Sequence, residues 1–335
     1  MTGREIMKQT LEFRGPSRVP RQFWTLPWAE EHCPDMVKAI RNDFPQDIGN
    51  TNAFLREKTI SRGDPCLPGE FIDEWGCVFE NVAKGYIGEV KQPLVTQDDW
   101  SDAGNVHIPE ELLSIDIEKI NAQCAASSQF MLAGECARPF EQLQFIRGTA
   151  QLYIDLLLRP KGMMDFIEKM HDFYCRWIRA WAQTDVDAIC FMDDWGSQTS
   201  LLINPREWKE IFQPMYQDYI DIAKAHGKKV TMHSDGNILE IYPYIVDMGV
   251  DMINSQVFCI GVENLKPFRG KITLWGEMDR QHILATGSMQ DVRDGVKRVF
   301  DTMWKDGGCI AQCEFGPGAK PDNVYEVFRA WNEML

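Results

Sequence analysis

The sequence contains no run of about 18 uninterrupted apolar residues, and no apolar signal core follows Met1. Basic charge is also scarce, because 35 Lys and Arg residues stand against 50 Asp and Glu, giving a formal net charge of −15. No Lys/Arg cluster is present. Nucleic acids and anionic membranes attract clustered basic residues, so we expect neither as a partner. These features favour a cytoplasmic protein.

Several common site motifs are missing. The ten cysteines include no Cys-x-x-Cys pair, so we expect reduced thiols rather than a disulfide framework. No Gly-x-Gly-x-x-Gly follows a predicted strand and no Gly-x4-Gly-Lys-Ser/Thr is present, which disfavours dinucleotide and P-loop enzymes. Without repeats, low-complexity blocks or a long linker, we expect a single domain over residues 1–335.

What the chain does have is a regular alternation of strand and helix patterns. A first strand is predicted at 19–25, and later strands at 129–134, 187–193, 228–233, 250–255, 271–276 and 309–313. Helices are predicted between them at 141–157, 160–183, 205–226, 237–248, 289–305 and 321–334. This order, with room for one more strand, predicts an α/β fold of the (β/α)8 TIM barrel type. Alternating apolar runs near residues 64–100, including 86–90, predict a β-hairpin insertion.

Polar side chains follow several of the predicted strands. His233 and Asp235 stand two residues apart at one strand end, so both can face the same point. The carboxyl ends of barrel strands are where chemistry occurs, and imidazole, carboxylate and thiolate all bind zinc. Cys313, at the end of the last predicted strand, is the third candidate ligand. The alternative is that His233 and Asp235 cap the next helix and Cys313 is a buried thiol.

A second candidate site is Asp193-Asp194. Adjacent residues on a strand point to opposite faces, so we expect one carboxylate to enter the mouth and the other to tie the loop. The carboxylate in the mouth could act as a general acid, its pKa raised by burial. Further residues at predicted strand ends or rim loops could line the pocket: Trp24, Glu135, Trp195, Trp275 and Glu277. Rim packing is the alternative for the tryptophans.

Taken in order, these segments resemble the uroporphyrinogen decarboxylase superfamily of (β/α)8 barrels. The resemblance extends from Arg4 to Leu335 and is carried by an ordered set of motifs: 18–22 (RVPRQ), 73–76 (DEWG), 193–198 (DDWGSQ), 233–236 (HSDG), 249–254 (GVDMIN) and 316–323 (GPGAKPDN). The superfamily includes true decarboxylases and corrinoid-linked methyltransferases. The decarboxylases carry Arg-Gln-Ala-Gly-Arg on the first strand, whereas this chain has Arg-Gln-Phe-Trp-Thr at 21–25 and lacks the second arginine.

The resemblance therefore favours the methyltransferase branch, which binds zinc through His-x-Cys and a later Cys. His233 and Cys313 match that pattern, but Asp235 replaces the first Cys. A related synthase adds a Glu where this chain has Gln256, and Glu277 could compensate. The resemblance thus implies zinc at His233, Asp235, Glu277 and Cys313. A set containing Asp and Glu is harder than His/Cys/Cys and favours oxygen ligands.

The implied function is transfer of a methyl group between a small methyl donor and the cobalamin of a separate corrinoid protein. The corrinoid would come with the partner, because Asp-x-His-x-x-Gly is absent here. Methoxy-aromatic donors are favoured, with methanol or methylamines possible. Asp193 or Asp194 would protonate or position the leaving group, and Gln198 and Asn254 would help to bind the substrate. The alternatives are a metal-free decarboxylase using Asp193 or Asp194 with His233, and a barrel that only binds a corrinoid protein or tetrapyrrole.

Overall fold

A barrel of eight parallel strands forms the centre of the structure, a computed structural model that describes residues 1–86 and 88–335. The barrel strands are β1 (Arg21–Thr25), β2 (Ile48–Asn50), β6 (Phe130–Ala137), β7 (Ala188–Met192), β8 (Lys229–Ser234), β9 (Met252–Ser255), β10 (Thr273–Gly276) and β11 (Cys309–Phe315). They follow the order β1-β11-β10-β9-β8-β7-β6-β2, so the sheet is nearly closed. The predicted TIM barrel is therefore confirmed.

The connections between barrel strands are mainly helical, as the alternating pattern predicted. The helices are α1 (Gly3–Leu11), α2 (Pro27–His32), α3 (Pro34–Asp43), α4 (Ile117–Ala126), α5 (Pro139–Arg147), α6 (Thr149–Leu158), α7 (Lys161–Ala182), α8 (Pro205–Glu207), α9 (Gln213–Ala225), α10 (Tyr242–Asp247), α11 (Val257–Ile260), α12 (Met289–Met303) and α13 (Pro321–Asn332). A π-helical segment, Trp208–Phe212, joins α8 to α9. Within residues 1–86 and 88–335, no helix is both long and apolar enough to cross a membrane.

The structure departs from the predicted elements at three places. The second barrel strand, β2, is only three residues long and has no alternating pattern to reveal it. The predicted helix 141–157 is two helices, because Gly148 adopts a positive φ of 81° between them. The predicted insertion is a three-stranded antiparallel sheet of β3 (Gly69–Ile72), β4 (Val78–Asn81) and β5 (Glu89–Val90). Of the predicted run 86–90, Ile87 lies outside the described residues.

Two apolar groups pack on either side of the barrel wall. One fills the barrel interior and includes Phe130, Met252 and Ile310. The other lies between the strands and the surrounding helices and includes Val230 and Phe328. Because successive strand residues alternate between these two environments, the parity of a position decides whether its side chain can reach the mouth of the barrel.

Asp47 closes the seam between the first two strands. Its backbone N–H donates to the Arg21 carbonyl at 2.9 Å, and its side chain accepts from the Arg21 N–H at 2.8 Å. Arg18 donates to both carboxylate oxygens, at 2.6 and 2.7 Å. Asp47 is only 2% exposed. This buried carboxylate thus supplies hydrogen bonds where the sheet lacks a regular ladder.

We expect Asp47→Ala to lower the free energy of unfolding by about 3 kcal/mol, because it leaves Arg18 and the Arg21 N–H without their acceptor. Urea denaturation followed by circular dichroism measures the change. Asp43→Ala, which removes an exposed carboxylate that accepts from Tyr325, is the matched control and should cost less than about 1 kcal/mol. Equal destabilisation by the two variants would show that Asp47 has no special role at the seam.

Candidate active site

Two glycines bring the loops after β7 and β8 into contact. A Cβ on Gly236 would lie 2.1 Å from the Gly196 carbonyl oxygen, and Gly236 has a φ of +79°. Both features exclude a larger residue. Gly196 N–H donates to the Asp235 carbonyl at 3.1 Å, and Asn237 N–H donates to the Ser197 carbonyl at 2.7 Å. The loop that carries Asp194 and the loop that carries Asp235 are therefore held side by side.

Asp193 and Asp194 point in opposite directions, as predicted for adjacent residues. The Asp193 carboxylate is fully buried and accepts from the backbone N–H groups of Phe140 at 3.1 Å and Glu141 at 2.7 Å. It also accepts a hydrogen bond from the Tyr216 hydroxyl. Burial raises the pKa of Asp193 well above its usual range. Asp193 therefore anchors the start of α5, and the structure does not place it in the mouth as a proton donor.

Asp194 enters the mouth. Its Oδ1 accepts from the Asp235 backbone N–H at 2.9 Å and lies 3.6 Å from His233 Nε2. Burial raises the pKa of Asp194, and the Asp235 carboxylate acts in the same direction, whereas His233 opposes them. Of the two carboxylates, Asp194 is thus the one that can take part in chemistry.

A chain of hydrogen bonds across three strands orients the His233 ring. His233, Asn254 and Trp275 are register partners on β8, β9 and β10. Asn254 Nδ2 donates to the Trp275 carbonyl at 2.9 Å, which turns its Oδ1 towards His233 Nδ1 at 2.6 Å. Since the amide oxygen only accepts, Nδ1 carries a proton, and in the neutral ring the lone pair is then on Nε2. Asn254, predicted to bind substrate, is fully buried and instead orients the imidazole.

The Nε2 lone pair faces two carboxylates. One ligand atom each from Asp194, His233 and Asp235 lies within 4.8 Å of the other two. Asp235 Oδ1 is 3.7 Å from His233 Nε2, and this buried oxygen has no hydrogen-bond partner among the described residues. A lone pair and two acceptor oxygens gathered at one spot repel each other unless a proton or a metal cation lies between them. The residues present therefore fit a divalent metal.

Beside the three ligand residues, the Arg280 guanidinium contacts three carboxylates. Its Nη2 lies 3.2 Å from Asp235 Oδ2, its Nε lies 2.6 Å from Glu277 Oε1, and its Nη1 contacts Glu314. Burial raises the pKa of Glu277 to about 8, while Arg280 acts in the opposite direction. Glu277, a predicted metal ligand, is thus close to the three ligand residues but is paired with a guanidinium.

Cys313 is not brought to the group. Ile310 belongs to the barrel interior, so the inward positions of β11 are 310, 312 and 314. Cys313 is fully buried in the core between strands and helices, and Glu314 is the residue that reaches the mouth. Burial raises the pKa of the Cys313 thiol well above its usual range, which opposes thiolate formation. The structure thus places this predicted ligand on the wrong face of the strand.

The other predicted substrate-binding residues divide between the mouth and the core. The Trp24 ring lies 5.8 Å from the His233 ring and 5.4 Å from Trp275, so these three rings form one aromatic wall. Glu135 is partly buried at the end of β6, and burial raises its pKa to about 7. Trp195, by contrast, is fully buried and stacked on Phe140 at 4.1 Å. The structure therefore gives Trp195 a packing role.

Three charged residues of the mouth were missed: Glu141, Arg280 and Glu314. Burial, with a smaller contribution from Asp194, raises the pKa of Glu141 to about 7, whereas Arg138 and His233 act in the opposite direction. Glu141 Oε2 is buried and has no hydrogen-bond partner among the described residues. Of these three residues, only Glu314 could have been predicted from the sequence. It continues the alternate positions of β11, Ile310 and Gln312, that face the barrel interior. Glu141 lies on α5 and Arg280 in the loop after β10, beyond the strand ends from which the site residues were predicted.

A cavity of about 290 Å³ is lined by Glu277 and by Arg280, which contacts Asp235. Six of the residues that line it offer an apolar face and several polar groups: Gln198, Gln256, Phe258, Cys259, Met278 and Arg280. Gln198, predicted to hold the substrate, lies at its exposed edge. The volume matches the lower end of small-molecule sites, about 300 Å³.

Comparisons with known proteins agree with this architecture. Over 99% of both chains, the fold is similar to a methyltransferase from Methanosarcina mazei, with a TM-score of 0.65 and 12% sequence identity. A sugar phosphate isomerase/epimerase from Parabacteroides distasonis matches 49% of this chain and 64% of its own, with a TM-score of 0.32 and 16% identity, which is too low to compare the sites. No curated protein matches the chain in sequence.

The sequence profile of the uroporphyrinogen decarboxylase (URO-D) family matches residues 73–334. That range contains every strand of the barrel except β1 and β2, together with the residues that form the mouth around His233. The chain belongs to the URO-D family.

Proposed function

We propose that this protein is a zinc-dependent methyltransferase that moves a methyl group between a small methyl donor and the cobalamin of a separate corrinoid protein. Membership of the URO-D family and the fold shared with a methyltransferase from Methanosarcina mazei support the proposal. Methyltransferases are one of the two branches that the sequence resembles, and the chain lacks the second first-strand arginine of the other branch.

The observation that carries the proposal is the convergence of Asp194, His233 and Asp235. Three protein ligands with one position left open are typical of a catalytic zinc, and both imidazole and carboxylate bind this ion. When bound, zinc would supply Lewis-acid polarisation of the atom from which the methyl group leaves. Because two of the three ligands are carboxylates, the site is harder than a thiolate site and suits an oxygen or amine leaving group.

The residues around the three ligands divide the remaining tasks. Asn254 holds His233 so that Nε2 can bind the metal, and Arg280 binds the second oxygen of Asp235. With Asp194 acting as a ligand, we assign the proton donor to Glu141, whose Oε2 is buried without a hydrogen-bond partner among the described residues and whose pKa of about 7 suits proton transfer at neutral pH. This assignment replaces the predicted role of Asp193 or Asp194.

The cavity beside Arg280 would hold the methyl donor. Phe258 and Met278 offer an apolar surface, and Gln198 can hydrogen-bond a polar substituent at the edge. A volume of about 290 Å³ admits a single substituted ring. Methoxy-aromatic donors therefore remain favoured, with methanol or methylamine as smaller possibilities.

A metal-free decarboxylase is the second candidate. The raised pKa of Asp194 and its position 3.6 Å from His233 Nε2 would suit a proton donor to a carbanion left by carbon dioxide. Metal content separates the two candidates, because only the methyltransferase requires the three ligands to share an ion.

We expect the protein purified with excess zinc to bind about one zinc per chain, measured by inductively coupled plasma mass spectrometry after gel filtration. His233→Ala should weaken zinc binding by more than about 100-fold, since it removes a direct ligand and indirect partners alone are worth 10–100-fold. His226→Ala, which changes an exposed histidine at the end of α9, and Cys313→Ala should both retain the metal. Zinc lost from Cys313→Ala but kept by His233→Ala would contradict the ligand assignment.

We expect methylcobalamin to form from free cob(I)alamin and at least one donor in a panel of methoxybenzoates, methanol and methylamines, followed by visible absorbance. Glu141→Gln should slow the reaction by about 100-fold or more while zinc stays bound, because it removes the proton donor but no ligand. The exposed Glu240→Gln is the matched control and should react at the normal rate. An unchanged rate in Glu141→Gln would remove Glu141 from the mechanism, and carbon dioxide release without methyl transfer would favour the second candidate.

A further inference from the structure

Arg280 separates Glu277 from the three ligand residues. One guanidinium contacts both Asp235 and Glu277, at 3.2 and 2.6 Å, so these two carboxylates are neighbours across a single positive group. Asp235 turns its other oxygen towards His233. Glu277 instead directs Oε1 at Arg280. Its carboxylate does not belong to the group of ligand atoms, one each from Asp194, His233 and Asp235, that lie within 4.8 Å of one another.

Glu277 has few other partners. It is only 4% exposed, and Oε1 makes no well-aligned hydrogen bond among the described residues. A buried carboxyl group in this position carries a negative charge only beside a cation, and otherwise it is protonated. The two cations within reach are Arg280 and a metal held by Asp194, His233 and Asp235.

We infer that Arg280 sets the number of protein ligands on the metal by holding Glu277 in an ion pair and so keeping a fourth coordination position open for the substrate. The inference rests on the metal centre proposed above. It assigns Arg280 as a positioning residue, and it accounts for the absence of the predicted ligand Glu277 from the group of three.

Removing Arg280 should strengthen zinc binding in two ways. Loss of a positive charge beside the metal favours binding of a divalent cation. The released Glu277, which shares the guanidinium with Asp235, is then expected to become an additional ligand. We therefore expect a variant without the guanidinium to bind zinc more tightly but to bind the methyl donor less well, because the open position is filled.

The test is zinc affinity measured by competition with a chromophoric chelator. Arg280→Gln should bind zinc on the order of tenfold more tightly than the wild type. In the cobalt-substituted protein, its visible spectrum should change as a ligand is added. Arg280→Lys retains the charge and should stay within a few-fold of the wild type. Circular dichroism confirms that each variant is folded.

The matched variant is Glu277→Gln. Alone it should change zinc affinity by a few-fold at most and leave the cobalt spectrum unaltered, because Glu277 is not a ligand in the wild type. Combined with Arg280→Gln, it should abolish most of the gain in affinity. The Glu277→Gln variant on its own tests the inference even if Arg280→Gln does not fold.

The outcomes distinguish this inference from the proposed function. A wild-type protein that binds no zinc overturns both. A wild-type protein that binds zinc, with Arg280→Gln no tighter or with a cobalt spectrum altered by Glu277→Gln alone, overturns only the role of Arg280. A tenfold gain that survives in the double variant also overturns it, since Glu277 would then not be responsible.

Discussion

The hydrogen-bond chain from the Trp275 carbonyl through Asn254 to His233 is the constraint on which the mouth depends. It lies across β10, β9 and β8 at one register level, so the geometry of the barrel itself fixes the imidazole. A histidine on a loop could turn either nitrogen outward. Here the buried amide allows only the tautomer whose Nε2 faces Asp194 and Asp235.

Negative charge around that nitrogen is the second organising feature. Asp194, Asp235, Glu277, Glu314 and Glu141 all approach the mouth, and burial raises the pKa values of Glu141 and Glu277 to about 7 and about 8. Arg280 offsets part of this charge, but the oxygen of Asp235 nearest His233 keeps no hydrogen-bond partner among the described residues. Several carboxyl groups crowded around an oriented imidazole are an arrangement that a divalent cation stabilises, and it disfavours strongly anionic substrates.

The sequence predicted the barrel and part of the site because both depend on periodicity. Alternating strand and helix patterns identified seven strands, and polar residues at strand ends identified His233, Asp235 and Asp194. Cys313 shows where this reasoning stops: the predicted strand starts at the correct residue, Cys309, but its almost wholly apolar pattern does not show which alternate positions face the barrel interior. Arg280 and Glu141 lie in a loop and on a helix, where only tertiary contacts decide what a side chain touches. The three-residue β2 was too short to carry a pattern.

Zinc K-edge X-ray absorption of the zinc-loaded protein tests the central claim most directly, because it distinguishes sulfur from nitrogen and oxygen ligands. With Asp194, His233 and Asp235 as ligands, the first shell should contain only nitrogen and oxygen at about 2.0–2.2 Å, with the outer-shell scattering of a single imidazole. A sulfur scatterer at about 2.3 Å, or an unbound ion with water ligands alone, would contradict the account.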